Sequence, residues 1–77
     1  MQAYILITTE ATRVWDVTEA MLKIDGVRMA HAVTGSYDVI SFVEALELDA
    51  LGYILSKILA IRGVLHTQTA IVMPEKL

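Results

Sequence analysis

Two short stretches of the chain combine residues that could hold a small polar ligand. The first is Thr34-Gly35-Ser36-Tyr37-Asp38 and the second is His66-Thr67-Gln68-Thr69. In the first, Gly35 would let a ligand approach the backbone, whose amides could hold a carboxylate, while Asp38 could hold an ammonium group. Turn chemistry explains the same residues without a ligand. Gly35 would supply a positive φ, Asp38 would cap backbone amides as in an Asx turn, and Tyr37 would shield the edge of the core. In the second stretch, Thr67 and Thr69 project from one face of an extended segment, with Gln68 opposite. Two hydroxyls so placed could address a small polar ligand, or form a cross-strand threonine ladder at a sheet edge.

His31 and His66 raise acid–base and metal chemistry, but neither has a second ligand at H-x-H or H-x-x-x-H spacing. Each reads as a half-buried strand residue. The chain has no Ser-His-Asp set, no phosphate-binding glycine loop and no clustered carboxylate pair. Asp16 and Glu19, like Glu44 and Glu47, read as solvated positions. Trp15 and Tyr53 read as packing or interface residues on helices. Six basic residues are scattered through a chain of net charge −3. With no basic stripe to neutralise phosphates, direct nucleic-acid binding is not expected. Without cysteine there is no disulfide, thiol chemistry or thiolate metal site. No cofactor or metal is called for, and a cytoplasmic location is expected.

The elements that must position these residues are legible from periodicity. Val14, Val17, Met21 and Ile24 form one helical stripe, and Leu51, Ile54, Leu55, Ile58 and Leu59 form another. Strands are expected over 3–9, 27–34, 38–45 and 64–73, each rich in β-branched residues. Leu22–Val27 and Leu59–Val64 share four of six residues at an offset of 37. Their glycines, Gly26 and Gly63, are expected to close the last helical turns in a left-handed conformation. The order is βαββαβ, the ferredoxin-like α+β pattern: a four-stranded antiparallel sheet with two helices on one face.

At 77 residues the chain has room for one domain, expected to span 1–77. Its apolar share is 56%, against a usual ~45–50%. No run approaches the ~18 apolar residues of a membrane span, and the start lacks the pattern of a signal peptide. Tyr4–Ile7 and Val39–Val43 are apolar almost throughout, where a solvated second face would alternate. Both faces of the sheet are therefore expected to be covered, the second by a partner's sheet.

In order and spacing these pieces resemble the ligand-binding domain of Lrp/AsnC-type (feast/famine) transcriptional regulators. The resemblance runs from Ala3 to Met73 and rests most on the Thr34-Gly35-x-Tyr37-Asp38 turn, Gly63-Val64 and Thr67-x-Thr69. It implies a sheet-to-sheet homodimer, and dimers assembled into rings, often octamers. It also implies free amino acids as effectors, bound between dimers near the turn joining the central strands. Carried over by position, Gly35, Ser36, Tyr37 and Asp38 form the turn side of the pocket, with Thr67 and Thr69 close by. Asp38 is then the ammonium partner, and amides near Gly35 and Ser36 face the carboxylate.

Regulators of that family carry a helix-turn-helix domain, whereas here Met1 leads straight into the first strand. The expectation is a stand-alone, non-enzymatic sensor that binds amino acids but not DNA. It would modulate transcription or metabolism by joining full-length Lrp/AsnC regulators or by contacting a metabolic enzyme. Two alternatives remain open at this point. One is a small dimeric α+β-barrel enzyme with His31 or His66 facing Asp38; the other is a purely structural oligomerisation module.

Overall fold

Alternation along the first strand decides which way the sheet faces. Gln2–Thr9 (β1) buries Ala3, Ile5, Ile7 and Thr9 on one side and turns Tyr4, Leu6 and Thr8 to the other. The computed structural model describes residues 1–75. After β1 come Val14–Leu22 (α1), Val27–Ala32 (β2), Val39–Glu44 (β3), Leu48–Leu59 (α2) and Val64–Ile71 (β4), with a 3-10 turn over Ala11–Arg13 before α1. The sheet order is β2-β3-β1-β4, antiparallel throughout. This is the expected ferredoxin-like arrangement, with the strands ending one or two residues short of their sequence limits at 34, 45 and 73.

Both helices lie on the side of Ala3, Ile5 and Ile7. Val17 and Met21 from α1 and Leu51, Ile54 and Ile58 from α2 join them, with Val27, Ala30, Val39 and Val43, in one buried cluster. A fully buried Ile or Val contributes roughly 1.5–3 kcal/mol relative to leaving it in water. Thr9, Thr18 and Ser41 are the buried polar residues, and Ser41, fully buried, donates its Oγ hydrogen to the Ile5 carbonyl at 2.9 Å. Leu59 departs from the expected stripe. It is the last residue of α2, 58% exposed, because the helix stops before another turn could carry it over the sheet.

The glycines of the repeated segment have positive φ as expected, +98° at Gly26 and +102° at Gly63. They do not close the helices, however, whose capping residues Lys23 and Ala60 are right-handed. Each glycine sits in a further turn, closed by Val27 N to Ile24 O and by Val64 N to Ile61 O, that aims the chain into the next strand. At Gly63 a Cβ would meet the Arg13 Cβ at 2.6 Å, so the two ends of the helical layer touch only because that side chain is missing.

Among the described residues, none covers the other face of the sheet. Tyr4 and Phe42 meet across β1 and β3 with ring centroids 5.0 Å apart, flanked by Leu6, Met29 and Ile40. The Thr8 hydroxyl on this face is buried without a hydrogen-bond partner among the described residues. Among those residues, no helix is long and apolar enough to cross a membrane.

Candidate functional site

The turn between β2 and β3 is built on backbone geometry that only part of its sequence can supply. The Val33 amide donates to the Asp38 carbonyl at 2.9 Å, closing residues 33–38 into a loop at the sheet end. Asp38 then donates its own amide to Ile7 O at 2.8 Å, which seats the turn on the central strand. Gly35 has φ +108°, and a Cβ placed there would meet no atom within 4 Å. Its requirement for glycine is therefore conformational, and the backbone around it is open to approach.

Asp38 has a structural partner. Strand β1 slips register against β4 between Thr8 and Thr9, and Thr9 is only 7% exposed. Its amide needs an acceptor, which the Asp38 carboxylate provides: Thr9 N donates to Asp38 Oδ2 at 2.7 Å. The second carboxylate oxygen has no partner among the described residues. The sequence suggests a local Asx-type cap; the carboxylate instead caps the Thr9 amide of β1, and this leaves part of it free.

Beside this carboxylate lies an open groove of about 540 Å³, lined by Thr9, Ala11, Val14, Trp15, Ala32, Val33, Thr34 and Asp38. Its polar wall is Asp38 with the Thr9 and Thr34 segments. Its apolar wall comes from the start of α1 and the end of β2. Trp15, read from the sequence as a packing residue, is 69% exposed at the rim.

The remaining candidates are distributed more widely. Tyr37 donates its hydroxyl to Gln68 Oε1, so the turn reaches across to β4. Thr67 and Thr69 are half-buried on the opposite side of β4 from Gln68, the side that carries the helices. Ile7 pairs with Val39 on one side and with Thr67 on the other. Thr67 is thus about 10 Å, two strand spacings of ~4.8 Å, from the Asp38 end of β3. Ser36 is exposed on the turn. His31 and His66 are exposed rather than half-buried. They stand on the two edge strands, three spacings or roughly 14 Å apart across the sheet and offset by two residues along it.

At the far end of the sheet, Glu44 accepts from Gln2 Nε2 at 3.4 Å and from Arg28 Nε at 3.0 Å. The Gln2 hydrogen bond first, and the Arg28 bond and charge after it, hold its carboxyl below the usual carboxylate range. A smaller depression of about 270 Å³ adjoins this cluster, between Arg28, Glu44, Leu46 and Tyr53. Among the described residues, no three His, Asp or Glu converge as a metal would require.

Comparison with known proteins places this geometry. Residues 2–76 match the family model of the Lrp/AsnC ligand binding domain. The chain belongs to that family. Among solved structures it is similar to hypothetical protein PHS023 from Pyrococcus horikoshii, at 35% identity and a TM-score of 0.86, covering 96% of this chain and 90% of that one. Among curated proteins it is similar to the HTH-type transcriptional regulator LysM of Sulfurisphaera tokodaii, 28% identical over 75% of this chain and 41% of that protein. It is also similar to part of a homocitrate synthase from Sulfolobus acidocaldarius, 35% identical over 77% of this chain and 13% of the enzyme. The chain thus spans less than half the length of these two relatives. For this Lrp/AsnC domain, sequence reasoning found the turn and missed Thr9, Val14 and Trp15, which reach the groove from elements distant in the chain.

Proposed function

We propose that this Lrp/AsnC domain is a regulatory sensor of free amino acids, with the groove beside the 33–38 turn as its binding surface. The observation that carries this reading is the half-free Asp38 carboxylate lining the groove, in the same turn as Gly35 with its open backbone. The carboxylate suits an α-ammonium group, and the exposed backbone amides around Gly35 and Ser36 suit an α-carboxylate. Tyr37, held by Gln68, would fix the shape of the turn. Thr67 and Thr69, on the helix side of β4, would enter only from a neighbouring subunit. That role accords with ligand binding between dimers paired through the Tyr4–Phe42 face.

The two curated relatives support a regulatory reading that does not depend on DNA. One is an HTH-type regulator and the other an enzyme, and each contains a segment similar to this chain. A ligand seated between dimers would favour one assembly by its differential affinity, and the domain's partner, a regulator or a biosynthetic enzyme, would respond. Homodimers building larger rings, with full-length regulators as possible co-assemblers, follow from the same reading.

Isothermal calorimetry against the twenty amino acids, with light scattering at saturation, tests the proposal. Binding by one or several, with a change in assembled mass, is the expected result. Absence of heat from all twenty, with the assembled mass unchanged, overturns it.

A further inference from the structure

We propose that Trp15 reads the ligand's side chain and that the groove takes amino acids with large, uncharged apolar side chains. This inference rests on the sensor reading above and adds the ligand's class. The groove lining divides by chemistry. One carboxylate, Asp38, and the hydroxyl-bearing residues Thr9 and Thr34 form one side, while Ala11, Val14, Trp15, Ala32 and Val33 form the other. Among the described residues, no Lys, Arg or His lines it. An acidic ligand side chain would therefore meet only the like charge of Asp38. A basic one would compete with the α-ammonium for a single carboxylate, one of whose oxygens already serves the Thr9 amide. An apolar side chain has neither conflict, and it finds a wall that lacks only a cover.

Trp15 is the largest side chain of that wall. Its side chain sits on the first turn of α1, 69% exposed, although its chain neighbours Val14 and Val17 pack inward. Closing a ligand against the indole removes apolar surface from both partners, and at ~25 cal/mol per Å² a contact of some 60 Å² corresponds to about tenfold in affinity. The aromatic face also offers polarizable contact to thioether and aromatic groups.

Trp15 is the only tryptophan in the chain, so its emission reports the site directly. The wild-type protein is titrated with leucine, methionine and phenylalanine, and with alanine, serine, aspartate and lysine, by fluorescence and calorimetry in parallel. Saturable emission changes should appear for the first three at the calorimetric midpoint. Trp15→Ala should weaken those three about tenfold while changing alanine by less than about threefold, and Trp15→Phe should restore most of the loss. Calorimetric binding without an emission change, or an unaltered order of preference in Trp15→Ala, overturns the role of Trp15 and leaves the sensor reading standing. A preference for aspartate or lysine overturns the ligand class. No binding by any of them defeats the sensor reading and this inference together.

Discussion

Replacing Asp38 with alanine removes the acceptor of the Thr9 amide, a 2.7 Å bond to a residue only 7% exposed. A buried donor left unpaired costs about 1–3 kcal/mol. For a domain of this size each kcal/mol moves the melting midpoint by roughly 4–8 °C, so a loss near 2 kcal/mol corresponds to roughly 8–16 °C. Asparagine at the same position keeps an oxygen for that amide and removes the charge. Its cost should fall to about 1 kcal/mol or less, since a neutral acceptor replaces a charged one. Ligand binding should show the opposite pattern, with both substitutions removing the ammonium partner and weakening an amino acid at least tenfold. Chemical denaturation at equal chain concentration gives the stabilities, and calorimetry gives the affinities. If Asp38→Asn is as unstable as Asp38→Ala, the Thr9 bond does not explain the residue. If Asp38→Asn binds as tightly as wild type, the ammonium role is wrong.

Three further substitutions probe other parts of the molecule. Gly35→Val meets no steric obstacle but must hold φ near +108°, costing about 1–2 kcal/mol; unchanged denaturation and affinity would dismiss the conformational argument. Phe42→Glu places a charge in the centre of the uncovered face and should reduce the assembled mass measured by light scattering, whereas an unaltered mass would place the interface elsewhere. Glu44 has a lowered folded-state pKa, so its contribution is present above the ordinary carboxylate pKa of ~4.3 and lost as pH falls through the folded value. Glu44→Gln should therefore flatten the acid limb of stability slightly as pH falls below the ordinary carboxylate range, by denaturation midpoints; identical limbs would refute that assignment.

Much of this fold was legible because its signals are local. The β-branched runs that mark the strands and the stripes through Val17, Met21, Ile54 and Ile58 each depend on neighbours within a few residues. The turn was legible in part for the same reason, since the positive φ of Gly35 is a property of the turn itself, whereas Asp38 caps an amide of β1 outside it. Gly26 and Gly63 show the limit of that reasoning. Their positive φ was readable, but whether it would end a helix or turn the chain into a strand depended on where each helix lost contact with the sheet.

The candidate site was decided by tertiary structure wherever it required elements far apart in the chain. The sequence names Asp38 and allows it two roles. Only the register slip at Thr8/Thr9, with Thr9 29 residues from Asp38 in the chain, determines that one oxygen caps an amide and the other stays free. Thr67 and Thr69 share a face by the two-residue period of any strand, yet that this face lies with the helices and away from Tyr37 follows from how β4 pairs with β1. Trp15 gave no local sign of a site, because an aromatic residue on an amphipathic helix is ordinarily core. Its exposure follows from its place off the buried stripe of Val17 and Met21, while its position in one groove with Asp38 follows from how α1 packs on the sheet.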